Sequence, residues 1–145
     1  MGIKKHSHFL IKFSFNHAGE CAMGDRKDKT MKILYLIVPC YNEDEILDTT
    51  AFALKQKICA LLKEGKIAYG SKILFVNDGS KDQTLQKIRR LHEEDAVFSY
   101  LSFSRNFGKE AAMLAGLEYS KGDYVAIMDV DLQDPPSLLP EMYEA

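Results

Sequence analysis

Four short, largely apolar segments alternate with helical stretches from residue 31 onward, and a cluster of polar residues follows each apolar segment. The apolar segments span 32–38, 73–76, 97–102 and 123–128, and runs such as KILYLIV and ILFV are typical of strands buried on both faces. Helical stretches are predicted over 44–64, 80–94 and 109–120. Repeated strand–helix–strand units predict an α/β fold with a doubly wound, mainly parallel sheet.

The first helical stretch has a clear apolar face. Leu47, Leu54, Ile58 and Leu61 recur at helical spacing, and Gly65 marks the end of the helix. These four side chains are therefore predicted to pack against the sheet.

Local signals predict where the neighbouring segments begin and end. Pro39 is expected to stop the first strand, since proline donates no backbone hydrogen bond. Ser80 and Gln83 have the spacing of a capping box, which predicts a helix beginning near Ser80. A last helix is predicted near 137–144.

Residues 1–30 differ from the rest of the chain. They mix polar and apolar residues without a helical period, and we expect a poorly ordered extension ahead of a domain at 31–145. Phe9, Ile11, Phe13 and Phe15 alternate, so a short strand is the other interpretation. Because Met31 directly precedes the first well-patterned strand, it is also a candidate for the true start.

Charge and cysteine content restrict the function classes. The formal net charge is −2, and residues 31–145 alone carry thirteen basic and eighteen acidic residues, so nothing predicts a nucleic-acid partner. Cys21, Cys40 and Cys59 form no C-x-x-C pair, which favours neither a disulfide framework nor a zinc site and suggests the reducing cytoplasm. No apolar run approaches the length of a membrane span.

The polar clusters at 39–43, 77–80, 104–108 and 129–134 all follow predicted strands. In doubly wound sheets, ligands bind outside the carboxyl ends of the strands, so these four clusters are expected to converge on one site.

Asp129 and Asp131 are the strongest candidates within that site. Residues i and i+2 of an extended segment project to the same side, so both carboxylates can face one ligand. Hard oxygen donors suit Mg²⁺ or Mn²⁺, and Gln133 would add a neutral oxygen. The alternative is a pair of solvated acids in a loop, because the D-x-D spacing is common.

Each of the other candidates also has a simpler structural interpretation. Asp78 could accept hydrogen bonds from a base or a ribose, or could form the Asp-Gly turn itself. Tyr41 could stack on a base, and Glu43 could bind sugar hydroxyls or merely favour a helix N-terminus. Arg105 and Lys109 could bind the donor phosphate or sugar, or be solvated surface cations.

Several known site types are disfavoured. No G-x-G-x-x-G follows the first strand and no P-loop motif is present, which argues against dinucleotide-binding and P-loop proteins. Cys40 has no sequence neighbour that would activate it and is interpreted as a packed residue. A metal-dependent phosphatase also uses D-x-D, but typically after an early strand, whereas here the motif follows the fourth.

The four clusters lie within longer motifs that resemble family 2 glycosyltransferases of the GT-A fold. The motifs are VPCYNEDE at 38–45, VNDGSKDQT at 76–84, SRNFGKEAAMLAGL at 104–117 and DVDLQDPP at 129–136. Their order and spacing are similar to the polyprenyl-phosphate branch, which includes dolichol-phosphate mannose synthases and bactoprenol glucosyltransferases.

This resemblance implies a UDP- or GDP-linked sugar donor, a divalent metal and a polyprenyl phosphate acceptor that attacks with inversion at the cytoplasmic face of a membrane. It implies nucleoside binding by Pro39, Tyr41, Glu43 and Asp78. It also implies that Asp129 and Asp131 are the catalytic and metal-binding carboxylates, with Gln133 beside them.

Members of this family continue into an acceptor-binding half, so the resemblance implies that this chain is the donor-binding part. A partner chain or that further half is expected to cover its sheet edge. Two functions stay open: part of an active transferase, or a non-catalytic nucleotide-sugar-binding fragment or subunit.

Overall fold

The computed structural model describes residues 10–12 and 31–131. Within these ranges the strands are β1 (Leu10–Lys12), β2 (Leu34–Cys40), β3 (Lys72–Asn77), β4 (Phe98–Ser102) and β5 (Tyr124–Ile127). The helices are α1 (Asp44–Lys63), α2 (Thr84–Glu94) and α3 (Lys109–Tyr119). The predicted order of strands and helices within residues 31–131 is confirmed, with boundaries that differ by at most four residues.

The strands form one sheet in the order β1-β5-β2-β3-β4. The strands β5, β2, β3 and β4 run parallel, whereas β1 lies antiparallel on the outer edge of β5. The chain passes outward from β2 to β3 and β4 and then returns to place β5 on the other side of β2. The strand order therefore reverses between β2 and β5, and a reversal of this kind opens a crevice at the carboxyl ends of the two strands.

Both faces of the sheet are covered by helices, as a doubly wound fold requires. Alternate residues of β2 point to opposite faces. Leu34, Leu36, Val38 and Cys40 join a core cluster that contains residues of α1 and α2. Tyr35 and Ile37 join a second cluster, which contains Ala112 of α3 and against which Leu117 of the same helix packs.

The predicted apolar face of α1 is confirmed. Leu47, Leu54, Ile58 and Leu61 are all at most 1% exposed, and each such side chain contributes roughly 1.5–3 kcal/mol by burial. The helix ends at Lys63, and Gly65 turns the chain with φ 69°.

Pro39 does not end the first strand, contrary to prediction. It lies inside β2 and pairs with Val76 of β3. The carbonyl of Ile37 accepts a hydrogen bond from Met128 just beyond β5, and that of Cys40 accepts one from Asp78 just beyond β3. Backbone groups alternate in direction, so Pro39 faces the β5 side, where pairing has already ended at Ile37. Its missing N–H therefore costs no ladder hydrogen bond.

The capping box predicted at Ser80 is also wrong. α2 begins at Thr84, and its N-cap residue Gln83 makes no side-chain cap hydrogen bond. The Ser80 hydroxyl instead accepts a hydrogen bond from the backbone N–H of Asn42, and Asp82 Oδ1 accepts one from the N–H of Thr84. A tertiary contact has replaced the local cap.

Only three residues of the N-terminal 1–30 segment are described. They form β1, the short strand that the alternation around Ile11 permits. The predicted disorder of the segment, Gln133, and the predicted helix at 137–144 lie outside the described residues and stay predictions. No helix in the described ranges is long and apolar enough to cross a membrane.

Candidate functional site

A cavity of about 320 Å³ opens at the carboxyl ends of β2 and β5, where the strand order reverses. This is the position at which a doubly wound sheet binds its ligands. The cavity contains most of the residues predicted from the sequence and is lined by Pro39, Cys40, Tyr41, Glu43, Asp78, Lys109, Asp129, Val130 and Asp131. Cys40 and Val130 are lining residues that the sequence interpretation did not include.

The loop after β2 presents Tyr41 and Glu43 to the cavity from either side of Asn42. Tyr41 is 41% exposed, which leaves its ring available to a planar ligand. Asn42 adopts the left-handed conformation with φ 51°, which asparagine tolerates better than most residues.

Side-chain hydrogen bonds tie this loop to the segment between β3 and α2. Asn42 donates its backbone N–H to the Ser80 hydroxyl at 3.0 Å, and its side-chain oxygen accepts the N–H of Lys81 at 2.8 Å. The backbone N–H of Glu43 donates to the Thr84 hydroxyl at 2.9 Å, and Thr84 is fully buried.

A second reciprocal pair extends the same connection. The backbone N–H of Asp44 donates to Asp82 Oδ2 at 3.3 Å, while Asp44 Oδ2 accepts the N–H of Gln83 at 3.2 Å. The segment around Tyr41 and Glu43 is therefore braced by residues that themselves do not line the cavity. Sequence reasoning did not identify this brace, because its partners lie about 40 positions apart.

Glu43 lies in a negatively charged part of the cavity. Partial burial, together with the nearby carboxylates of Asp131 and Asp82, raises the pKa of Glu43. Like charges this close disfavour the ionised form of each other, and a cationic ligand would relieve the repulsion.

Asp78 lines the cavity but already has a structural role. It is 3% exposed, its Oδ1 accepts the backbone N–H of Phe107 at 2.7 Å, and its Oδ2 accepts that of Gly108 at 3.0 Å. The carboxylate thus holds the chain just ahead of α3. Each oxygen retains a lone pair, so nucleoside binding by Asp78 is still chemically allowed.

Gly79 allows the 104–108 loop to approach this turn. Its φ is +68°, and a Cβ at this position would collide with the backbone of Arg105 and Asn106. Arg105 itself does not line the cavity: its guanidinium lies 4.4 Å from the ring centroid of the exposed Phe107. The structure therefore does not bring Arg105 together with the other predicted site residues.

Lys109, the first residue of α3, forms an ion pair with Asp129 across the cavity. Asp78 contributes indirectly to this pair, since it anchors Phe107 and Gly108 immediately before Lys109. The cavity is thus lined by one cationic side chain, Lys109, and by four carboxylates, those of Glu43, Asp78, Asp129 and Asp131.

The D-x-D segment follows β5 with alternating burial. Met128 and Val130 are 3% and 5% exposed and belong to the core, with Val130 also at the cavity wall, whereas Asp129 and Asp131 line the cavity and are more exposed. Both carboxylates therefore line the cavity, although Val130 and Asp131 form a turn and not the extended segment predicted from the sequence.

The donor groups in this cavity fit a divalent cation that is shared with a ligand. Within residues 10–12 and 31–131, no three His, Cys, Asp or Glu side chains are arranged as a complete metal site. Mg²⁺ is commonly bound through one or two carboxylates together with substrate phosphates and water, and Asp129 and Asp131 supply that number. Gln133 lies outside the described residues.

Cys40 is packed as expected. Its thiol is 2% exposed and donates to the carbonyl of Val38 at 3.3 Å. Burial, and to a lesser extent Glu43, raises the pKa of Cys40, so the reactive thiolate is disfavoured.

The chain is similar to known proteins. Residues 35–145 match the model of Glycosyl transferase family 2. The chain is 44% identical over 109 residues to the bactoprenol glucosyl transferase of Shigella phage SfX. It is 43% identical over 109 residues to a prophage bactoprenol glucosyl transferase homolog of Escherichia coli K12. Both matches cover 75% of this chain and 34% of the relative.

A solved structure supports the fold assignment. The mannosyltransferase PcManGT from Pyrobaculum calidifontis, in complex with GDP-Man and Mn2+, matches with a TM-score of 0.53 and 23% identity over 71% of this chain and 28% of that chain. The chain spans about a third of the length of the curated relatives named above. With a family model matched over most of its length, the chain belongs to glycosyl transferase family 2.

Proposed function

We propose that this chain forms the donor-binding part of a glycosyltransferase that moves a sugar from a UDP- or GDP-linked donor to a polyprenyl phosphate. The observation that carries the proposal is the cavity at the β2–β5 reversal, where Tyr41, Glu43, Lys109, Asp129 and Asp131 meet. Family membership and the names of the bactoprenol-related relatives support the same substrate class.

The two sides of the cavity suit the two ends of a nucleoside diphosphate. Tyr41, next to Pro39, offers an exposed ring for a base, and Asp78 and Glu43 offer oxygens that accept hydrogen bonds from base or ribose donors. The Lys109 ammonium can bind the diphosphate once it leaves Asp129. Arg105 would need to leave the Phe107 ring to contribute, so we propose only Lys109 as the donor-phosphate contact.

In glycosyl transfer, negative charge builds on the nucleoside diphosphate as it departs. A Mg²⁺ or Mn²⁺ ion held by Asp129 and Asp131, with Gln133 proposed as a further ligand from the sequence, would stabilise that charge. The acceptor phosphate is already ionised near neutral pH, so inverting attack on the anomeric carbon needs no strong general base. A polyprenyl acceptor would place the reaction at the cytoplasmic face of a membrane.

The runner-up is a nucleotide-sugar-binding fragment or subunit without transfer activity. It rests on the same cavity residues, which can bind a donor whether or not transfer follows. A partner chain or a further acceptor-binding segment that covers the sheet edge would then complete the enzyme. A metal-dependent phosphatase is a weaker alternative, disfavoured by family membership.

Isothermal titration calorimetry of the chain with UDP and GDP, each with Mn²⁺ or with chelator, tests donor binding. We expect binding that requires Mn²⁺ and that Asp131→Asn abolishes. Asp123→Asn is a suitable control, because Asp123 accepts the N–H of Ile33 away from the cavity. Binding of equal strength in chelator would remove the metal assignment, and failure of both nucleotides to bind would refute donor binding by this chain.

An assay of sugar transfer to polyprenyl phosphate separates the two leading functions. Transfer by this chain supports an active transferase, whereas donor binding without transfer supports the fragment or subunit.

A further inference from the structure

A buried hydroxyl on α1 bonds to the middle of the D-x-D segment. Thr50 is 2% exposed, and its Oγ1 donates a hydrogen bond to the backbone carbonyl of Val130, 80 positions away in sequence. A threonine inside a helix often bonds instead to a carbonyl of its own preceding turn. Here the hydroxyl connects α1 to the segment that carries Asp129 and Asp131.

This hydrogen bond contacts the D-x-D segment at a point where the backbone pairing of the sheet has already ended. β5 ends at Ile127, and the N–H of Met128 makes a final backbone hydrogen bond to Ile37 at 2.9 Å. After that point, the Val130 side chain packs in the core and its carbonyl bonds to Thr50.

The geometry of a peptide unit links this contact to Asp131. The carbonyl of Val130 and the N–H of Asp131 belong to one rigid plane, so fixing the carbonyl oxygen also fixes the direction in which the backbone enters Asp131. Thr50 does not line the cavity and so cannot touch a ligand there.

We propose that Thr50 is a positioning residue that orients the Asp131 carboxylate toward the cavity through the Val130 carbonyl. The inference rests on the proposed role of Asp129 and Asp131 in binding a divalent cation and a nucleoside diphosphate. Groups that orient metal-binding side chains typically change metal affinity on the order of 10–100-fold when they are removed.

Two substitutions at this position separate the hydroxyl from the side-chain volume. Thr50→Val keeps the β-branched shape and removes the donor, whereas Thr50→Ser keeps the donor. Thr49→Val is the matched control, because the neighbouring Thr49 is exposed on the same helix.

The first measurement is amide hydrogen exchange of peptides that span residues 128–131, which does not depend on any ligand. We expect about tenfold faster exchange in Thr50→Val, the factor expected for loss of one buried hydrogen bond, and exchange near wild type in Thr50→Ser and Thr49→Val. Unchanged exchange in Thr50→Val would overturn the proposal.

The second measurement is Mn²⁺-dependent affinity for UDP and GDP by calorimetry. We expect on the order of 10–100-fold weaker binding in Thr50→Val, with recovery in Thr50→Ser. Wild-type affinity in Thr50→Val alongside faster exchange would overturn the positioning role. If the wild-type chain binds neither nucleotide, the proposed donor binding fails and the exchange result alone decides whether Thr50 holds the segment.

Discussion

Replacing Asp78 with asparagine separates a structural role of this residue from a role in nucleoside binding. The buried Asp78 carboxylate accepts the backbone N–H groups of Phe107 and Gly108, one on each oxygen. An asparagine keeps one acceptor oxygen but turns an NH₂ group toward the other backbone donor. One charge-assisted hydrogen bond is lost, at a cost of about 2 kcal/mol, and alanine, which loses both, costs about 4 kcal/mol.

For a domain of this size, a loss of 1 kcal/mol lowers Tm by about 3 °C. Thermal unfolding followed by circular dichroism should therefore show a Tm about 6 °C lower for Asp78→Asn and about 12 °C lower for Asp78→Ala. Asp48→Asn is the control, because Asp48 is 45% exposed and forms surface ion pairs with Lys87 and Arg90. Such pairs contribute about 0–1 kcal/mol, so its Tm should fall by no more than about 3 °C.

A Tm for Asp78→Asn that falls no further than that of Asp48→Asn would refute the structural role. If such a variant also lost nucleotide binding, Asp78 would act only as a nucleoside ligand, which is the role that the family resemblance implies.

Three further changes test other parts of the site. Gly79→Ala should lower the free energy of unfolding, measured by urea denaturation, by about 2–4 kcal/mol, because its Cβ would collide with the 104–108 loop. Gly65→Ala, which has a similar φ of +69° but open space around it, should lower it by about 1 kcal/mol, and equal losses would contradict the close approach. The pKa of Glu43 is raised in the folded state, so the folded protein binds a proton on this carboxyl more tightly than the unfolded chain does. The stability of the fold therefore falls as pH rises from about 4 through the folded pKa of Glu43. Glu43→Gln should therefore have a higher Tm than wild type at pH 7 and no advantage below about pH 4, and an advantage that grows as pH falls would contradict the sign. Lys109→Met should change the free energy of unfolding by less than about 1 kcal/mol, because the Lys109–Asp129 ion pair is exposed. It should also strengthen Mn²⁺ binding in the absence of nucleotide, measured by electron paramagnetic resonance, because Asp129 loses a competing cation; weaker binding would contradict that competition.

The main course of the chain could be predicted from the sequence because local and tertiary signals agree there. Leu47, Leu54, Ile58 and Leu61 have helical spacing, and the same face of α1 is buried in the structure. The convergence of polar residues followed from topology alone, since parallel strands place their carboxyl ends at one edge of the sheet.

Where prediction failed, a tertiary contact outweighed a local signal. Pro39 continues β2 because its missing donor faces a side on which no partner remains. Ser80 is engaged by Asn42, so α2 begins at Thr84 instead.

The supporting residues of the site were missed for the same reason. Thr50 and Thr84 act through hydrogen bonds to backbone groups far away in sequence. Thr50 did leave a signal, since it occurs at helical spacing among the apolar residues Leu47 and Leu54, and a polar residue on a buried face needs a partner. The identity of that partner could not be read without the fold.

The most direct test of the central claim is to locate Mn²⁺ by nuclear magnetic resonance in the presence of UDP or GDP. Paramagnetic broadening of backbone amide signals falls steeply with distance from the ion. We predict that broadening is strongest in the cavity, at Tyr41, Lys109 and Asp129–Asp131, that Tyr69 at the opposite, amino end of the sheet keeps its signal, and that Asp131→Asn removes the effect. Broadening centred elsewhere, or broadening that persists in Asp131→Asn, would contradict a metal and donor site at the D-x-D segment.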